Sequence, residues 1–136
     1  MLITFCIGKL HCVRVTDACL NYEGSVTIGR DLMKAAGMVA FQLVHINSMA
    51  NAEHWETYVI PGRSGEICLN GCPARLFQVG DQVIILALAH GTLEEAARVK
   101  QRVVYVNDDN KILRIGIKTA TDSDLRKSEN KKRKSK

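Results

Sequence analysis

The chain lacks the features that would place it in a membrane or outside the cell. Its longest apolar run, Val83 to Ala89, has seven residues, whereas a helix that crosses a bilayer needs roughly 20. Lys9, His11 and Arg14 interrupt the region where a secretory signal would need an unbroken apolar stretch. We therefore expect a cytoplasmic protein without a membrane partner.

Several motifs with a known chemistry are also missing. The sequence contains no P-loop, no GxGxxG, no GxSxG and no repeat at solenoid spacing. Its five cysteines include no Cys-x-x-Cys pair, and the Cys68/Cys72 spacing has no second close pair of ligands beside it. We expect buried, reduced thiols and no metal site.

Length and charge divide the chain into a body and a tail. At 136 residues with 46% hydrophobic content, the chain is long enough for one core, and so small a domain gains from oligomerisation. Seven basic residues and one acid lie between Arg126 and Lys136, so this segment carries a charge of +6. The net charge of the whole chain is +5. We predict a folded domain at 1–117 and a disordered basic tail at 118–136.

The basic tail allows two interpretations. Its charge could attract nucleic acid or another anionic surface weakly. It could equally be a solvated end that keeps the protein in solution, and this interpretation is preferred because the first 125 residues carry a net charge of −1. Nucleic acid is therefore not an expected partner.

The hydrophobic pattern predicts a mainly β fold. Alternation predicts a first strand at 7–16, with Lys9, His11, Val13 and Val15 on one face. Further short strands are predicted at 26–28, 43–47, 57–60, 66–69, 82–86, 102–106 and 111–117. A short helix at 31–36 closed by Gly37, and a second opened by Thr92 with Glu95 three residues later, complete the pattern. Many short strands with two short helices indicate a compact β-barrel.

Taken one by one, the polar residues of this barrel are not specific. Lys9 and His11 fit a partly exposed polar edge, and Tyr58 fits a cross-strand packing aromatic. Asn70 and Gly71 fit a hairpin turn. The residues alone therefore lead to a small barrel and no further.

Their order and spacing are more informative. The sequence contains Gly8-Lys9-Leu10-His11, Tyr22-Glu23-Gly24-Ser25, Thr57-Tyr58, Asn70-Gly71 and Val79-Gly80-Asp81. This series resembles the aspartate 1-decarboxylase family over about residues 1 to 115. The resemblance implies a double-psi β-barrel that assembles as a homotetramer with active sites at subunit interfaces.

The resemblance also implies a cofactor made from the chain itself. The Ser25 hydroxyl would attack the Gly24 carbonyl, and cleavage between residues 24 and 25 would leave a pyruvoyl group derived from Ser25. Glycine at position 24 tolerates the strained backbone that such a rearrangement requires. Thr57 would help to hold the Gly24 carbonyl. The pyruvoyl group would then form a Schiff base with the substrate amine and accept the electrons released with carbon dioxide.

The family resemblance also implies roles for other residues of this sequence. Tyr58 is implied as the proton donor and Lys9 as a fixed cation near the substrate carboxylates. The remaining implied substrate-binding residues are His11, Tyr22, His54, Thr57, Asn70, Gly71, Cys72 and Pro73. With aspartate as substrate the product would be β-alanine, in pantothenate synthesis.

Four positions depart from the family pattern. His54 stands where the family has the Arg that binds the side-chain carboxylate, and it offers one donor at a time where Arg offers a charged pair. Asn47 replaces an aromatic residue, and Cys72-Pro73 replaces two alanines. We expect aspartate as substrate. The alternatives are a related pyruvoyl decarboxylase for another amino acid and, less favoured, a non-catalytic barrel that serves as a binding module.

Overall fold

The computed structural model describes residues 1–120, and residues 121–136 of the predicted tail lie outside the described residues. Within residues 1–120, nine strands, two α-helices and one 3-10 helix follow one another. In chain order they are β1 (Leu2–Arg14), β2 (Asp17–Cys19), β3 (Ser25–Gly29), α1 (Arg30–Ala36), β4 (Leu43–Ser48), β5 (His54–Gly62), β6 (Ile67–Asn70), the 3-10 helix (Cys72–Arg75), β7 (Gln82–Thr92), α2 (Leu93–Ala97), β8 (Lys100–Val106) and β9 (Ile112–Thr119). Neither α-helix within residues 1–120 has the length and apolar character that a membrane crossing needs.

One continuous run of chain closes the sheet into a barrel. The strand order in the sheet is β2-β6-β3-β5-β4-β7-β1-β8-β9, so β2 is the first strand and β1 is the seventh. In the chain, only two residues separate the end of β1 from the start of β2. Between them, the Thr16 backbone N–H donates to the Ile67 carbonyl (2.8 Å), and the Thr16 hydroxyl oxygen accepts from the Ile67 N–H (3.0 Å). The sheet must therefore curve until β6 meets the end of β1. The predicted mainly β class with two short helices is confirmed, and the closed sheet is the expected double-psi β-barrel.

The barrel is filled by aliphatic side chains that alternate along the strands. Val26 and Ile28 of β3, Val44 and Ile46 of β4 and Ile85 of β7 are all fully buried. Burial of one such side chain stabilises a fold by roughly 1.5–3 kcal/mol. The side chains at the intervening positions lie on the outer face of the sheet, which is where the polar residues of interest are found.

A bulge in β1 corrects the predicted faces of that strand. The pairing of β1 with β7 passes from Leu10↔Ile85 directly to Val13↔Val83, and Cys12 has a positive φ of 54°. The extra residue shifts the alternation by one, so Leu10 and Val13 both point into the core. The prediction that Lys9 and His11 share a face is right. The prediction that Val13 and Val15 join them is wrong, because both side chains are buried in the core.

Both predicted helices are confirmed. Gly37 ends α1 in the left-handed conformation with φ 73°, where glycine has no steric cost. Thr92 begins α2 with a complete capping box: the Glu95 N–H donates to the Thr92 hydroxyl and the Thr92 N–H donates to the Glu95 carboxylate, both at 3.1 Å.

Several strands extend beyond their predicted ends. β5 begins at His54 rather than Thr57, because His54 and Glu56 pair with Asn47 and His45 of β4. β7 continues to Thr92, since β1 pairs with its full length. Strand β2 was not predicted, and β9 runs to Thr119, two residues past the predicted end of the folded domain.

Gly8 allows β1 to pack against the end of α1, and this contact yields a stability prediction. A Cβ at position 8 would collide with the Ala36 carbonyl oxygen, a backbone atom that cannot move freely. We expect Gly8→Ala to lower the free energy of unfolding by about 1–3 kcal/mol, measured by urea denaturation. Gly116→Ala is the matched control, because its Cβ would be 3.5 Å from the nearest atom, on the Tyr105 ring. Equal stability of the two variants would contradict the packing argument.

Candidate active site

Ser25 lies buried at the first position of β3, where two strands bring partners to it. Its side chain has no exposed surface, and its hydroxyl donates to the Glu23 carbonyl oxygen at 3.3 Å. β3 runs antiparallel to β6, with Ser25 paired to Asn70. The Asn70 amide nitrogen donates to the Ser25 hydroxyl oxygen at 3.0 Å. The hydroxyl is therefore held from both sides.

The Asn70 side chain is fixed by three hydrogen bonds. Its amide nitrogen also donates to the Thr27 hydroxyl (3.0 Å), and its amide oxygen accepts from the Cys68 thiol (3.2 Å). Burial, followed by the carboxylates of Asp17 and Glu66, raises the pKa of Cys68 to about 11. Because the thiol stays protonated, it remains a donor and keeps the amide in this orientation.

Gly71 lets the backbone after β6 approach the backbone before β3. It has a positive φ of 84°, and a Cβ there would lie 3.0 Å from Gly24 Cα and 3.1 Å from the Tyr22 carbonyl oxygen. Its N–H donates to the Cys19 carbonyl at 2.8 Å. A side chain at position 71 would push the 22–24 segment away, so glycine is required both for conformation and for space.

The parallel partner of β3 supplies Thr57 and Tyr58. Val26 pairs with Val59 of β5, and the same register continued backward places Tyr58 level with Ser25 and Thr57 level with Gly24. Alternation then puts Tyr58 on the outer face with Ser25 and the buried Thr57 on the core face with Val59. The continued register therefore sets Thr57 and Tyr58 level with the predicted cleavage position, on opposite faces of one strand.

Cys72 and Pro73 follow Gly71 in the 3-10 helix. Pro73 is buried in the first turn, and its carbonyl accepts from the Leu76 N–H at 2.9 Å. The first N–H groups of a helix have no intrahelical partner, so proline costs the helix nothing there. Pro73 does remove one backbone N–H donor from the loop beside the Ser25 group. The Ser25 group is defined as Ser25, Gly24, Thr57, Tyr58, Asn70 and Gly71.

Lys9 and His11 form a separate group within one chain. They lie on β1, and three strands, β5, β4 and β7, separate β1 from β3 in the sheet order. The His11 ring packs against the Tyr105 ring of β8 with centroids 5.5 Å apart. Burial, and then the charges of Lys9 and Lys118, lower the pKa of His11. The lowered pKa favours the neutral imidazole beside these cations.

His54 occupies a third position on the outer face. It is four residues from Tyr58 on β5, roughly 13 Å at the usual rise per residue, and faces the same way. Its imidazole is held by the Asn47 amide oxygen (Nδ1 to Oδ1, 2.7 Å) and faces the Glu56 carboxylate (Nε2 to Oε1, 3.2 Å). His54 is therefore engaged with its neighbours rather than extended into solvent.

Two residues of the site were missed by sequence reasoning. Thr27 and Cys68 complete the hydrogen bonds of Asn70. The signal for them was alternation, since residues 25 and 27, and residues 68 and 70, must share a face within their strands. Pairing the two strands, which the sequence did not provide, was needed to see that the two faces coincide.

The five cysteines are all free thiols, as expected, but they are not all buried. Cys68 is buried, Cys6 and Cys12 are half-buried, and Cys19 and Cys72 are exposed. The expectation of buried thiols is therefore wrong for Cys19 and Cys72, which lie at the end of an edge strand and at the start of the 3-10 helix.

Comparison with known proteins identifies relatives along most of the chain. The family model of aspartate decarboxylase matches residues 1–113. An aspartate 1-decarboxylase of Caldicellulosiruptor bescii is 49% identical over 120 residues, covering 87% of this chain and 94% of its own. One from Phocaeicola vulgatus is 54% identical over 107 residues, covering 77% and 92%. A rationally designed protein, mkDPBB_sym1, aligns with a TM-score of 0.43 and 14% identity, over 64% of this chain and 99% of its own.

The state of Cys68 can be tested by its reactivity. We expect iodoacetamide at pH 8 to alkylate the exposed Cys19 and Cys72 and to leave Cys68 unmodified, since burial and a pKa of about 11 keep it a thiol. Peptide mass spectrometry after a timed reaction measures this. In urea, all three should react at similar rates. Modification of Cys68 as fast as Cys72 in the folded protein would contradict the hydrogen-bond arrangement around Asn70.

Proposed function

The chain belongs to the aspartate decarboxylase family, and we propose that it decarboxylates L-aspartate to β-alanine and carbon dioxide after cutting itself between Gly24 and Ser25. The observation that carries this proposal is the buried Ser25 hydroxyl, held between the Glu23 carbonyl and the Asn70 amide. Family membership favours aspartate over the alternatives of another amino acid and of a non-catalytic binding module. The product places the reaction in pantothenate synthesis.

The hydrogen bonds of the Ser25 hydroxyl and the open space beside Gly24 support the proposed attack by Ser25 on the preceding carbonyl. The Ser25 hydroxyl already donates to a carbonyl oxygen, which orients its proton away from the Asn70 amide. Gly24 adds no side chain to the exposed segment before the bond, and no atom lies within 4 Å of a Cβ placed there. Thr57, level with Gly24, is proposed to hold the Gly24 carbonyl.

The residues around Ser25 also fit a pyruvoyl group formed from it. The position is buried, and the Asn70 amide has N–H groups beside it that can donate hydrogen bonds to a carbonyl oxygen. Such a group supplies a conjugated carbonyl that accepts the electrons released when carbon dioxide leaves the substrate. Tyr58, half-buried on the same face, is proposed to return a proton to the substrate carbon.

Lys9, His11, Tyr22 and His54 are proposed to bind the substrate, together with Gly71, Cys72 and Pro73. Lys9 provides a fixed cation for a carboxylate, and the neutral His11 provides a hydrogen-bond partner beside it. These two residues lie apart from the Ser25 group within one chain. A homotetramer with sites at its interfaces, which we propose, would let one chain contribute Lys9 and His11 to the Ser25 group of another.

The outer face of the sheet supports such an assembly. Leu43 of β4 is 63% exposed, and Ile84, Leu86 and Leu88 of the neighbouring β7 are half-buried. Apolar side chains exposed on adjacent strands are typical of an interface. We further propose that the enzyme acts in the cytoplasm, in keeping with a biosynthetic role. The basic tail is proposed to be a solvated end that keeps the protein in solution.

Self-cleavage can be followed directly by intact-mass spectrometry. We expect the wild-type chain to give two fragments divided between residues 24 and 25, the larger blocked by a carbonyl, and Ser25→Ala to remain whole. Asn70→Ala removes the donor to a buried hydroxyl, a loss of about 1–3 kcal/mol, and should slow cleavage roughly tenfold. Asn51→Ala is the matched control, because Asn51 bonds the Leu76 carbonyl away from the site. A wild-type chain still intact after prolonged warming would refute the proposal.

Substrate recognition can be tested at position 54. We expect aspartate turnover by the wild-type enzyme, and a gain of about tenfold in kcat/KM for His54→Arg, because Arg offers two charged donors to the side-chain carboxylate. The H54R/E56Q double variant removes the carboxylate that would otherwise hold the new guanidinium. His90→Arg, on β7, controls for added charge. An unchanged kcat/KM in both position-54 variants, or turnover of another amino acid but not of aspartate, would contradict this assignment.

A further inference from the structure

We propose that His45, His54 and Glu56 bind one divalent transition-metal ion on the outer face of the barrel. The three side chains are brought together by strand pairing: His45 of β4 is the direct partner of Glu56 on β5, and His54 precedes Glu56 by two residues on the same face. Their positions are thus set by the backbone of two paired strands. Cleavage of Ser25 is not needed for this site, which shares His54 with the proposed substrate-binding residues.

The candidate ligand atoms lie about as far from one another as the ligand atoms of a single metal ion do. The Glu56 carboxylate oxygen Oε1 lies 3.0 Å from His45 Nε2 and 3.2 Å from His54 Nε2. All three donor atoms lie within 4.8 Å of one another. Ligand bonds of 2.0–2.2 Å in a tetrahedral zinc site give donor separations of about 3.3–3.5 Å. Two of the three pairs are within a few tenths of an ångström of that value, and a modest rotation of the half-exposed His54 ring closes the third.

Asn47 prepares His54 for this role. The His54 Nδ1 lies 2.7 Å from the Asn47 amide oxygen, and the tautomer that donates this bond carries its lone pair on Nε2. In that tautomer the lone pair faces the Glu56 carboxylate oxygen 3.2 Å away. Two acceptors facing each other repel unless a proton or a metal ion lies between them. A partner that orients a ligating histidine through its other nitrogen is the usual arrangement in metal sites.

The ligand set selects the kind of ion. Two imidazoles and one carboxylate suit Zn²⁺, Co²⁺ or Ni²⁺, whereas Mg²⁺ and Ca²⁺ prefer oxygen ligands alone. Three protein ligands leave one coordination position open. A cavity of about 260 Å³ adjoins His45 and Glu56 and is lined also by Thr4, Leu43 and His90. The open position therefore has room for a water molecule or a carboxylate oxygen.

The binding of Co²⁺ to the full-length protein without an affinity tag tests the proposal. We expect one Co²⁺ per chain, a visible d–d absorption band and displacement by Zn²⁺ but not by Mg²⁺. Because the chain has free cysteines, the near-ultraviolet spectrum serves as a check: a thiolate charge-transfer band would show binding at cysteine and overturn the assignment. Absence of saturable binding in titration calorimetry would overturn it too.

Single variants then locate the ion. His45→Gln, His54→Gln and Glu56→Gln should each weaken Co²⁺ binding more than tenfold, and Asn47→Ala should weaken it by about 10–100-fold through the lost orientation of His54. His90→Gln is the matched control, since His90 lines the same cavity but bonds Thr4. Thermal unfolding in the presence of a chelator should be alike for all variants. Full-strength binding in the H45Q/E56Q double variant, or an equal loss in His90→Gln, would refute the proposal.

Discussion

The pairing of β6 with both β2 and β3 is the constraint on which the site depends. Its antiparallel pairing with β3 sets Asn70 opposite Ser25, and its parallel pairing with β2 ends in the bond from Gly71 to the Cys19 carbonyl. The same four-residue strand thus fixes a side chain against the hydroxyl and a glycine against the preceding backbone. Since β6 also meets Thr16 at the closure of the barrel, the site forms only when the barrel is complete.

The sheet separates stability from chemistry by its two faces. The inner face is filled by aliphatic side chains, and most of the polar residues considered lie on the outer face. Lys9, Leu86, His45 and Glu56 form one row across four paired strands. Because successive rows are only two residues apart, the outer face can hold several polar groups without disturbing the core. The Ser25 group, Lys9 with His11, and His45 with His54 are three such groups.

The sequence predicted most strands, both helices and the fold class, because hydrophobic alternation and helix capping are local signals. It failed where the answer depended on a neighbour. The bulge at Cys12 turned Val13 inward, and β5 gained His54 and Glu56 through pairing with β4. Likewise, the proximity of Ser25 and Asn70 could be expected only from the family resemblance, since no local pattern joins residues 45 positions apart. The separation of Lys9 from Ser25 could not be predicted from spacing at all.

The closure of the barrel by residues 1–24 has a consequence for the proposed self-cleavage. This segment contains β1, which lies between β7 and β8, and β2, which pairs with β6, so it cannot leave without opening the core. Once the bond before Ser25 is broken, however, the two pieces are held by noncovalent contacts alone. Unfolding then separates them, and reassembly becomes a bimolecular event that depends on concentration. The mature protein would therefore owe its lifetime to slow unfolding rather than to an ability to refold.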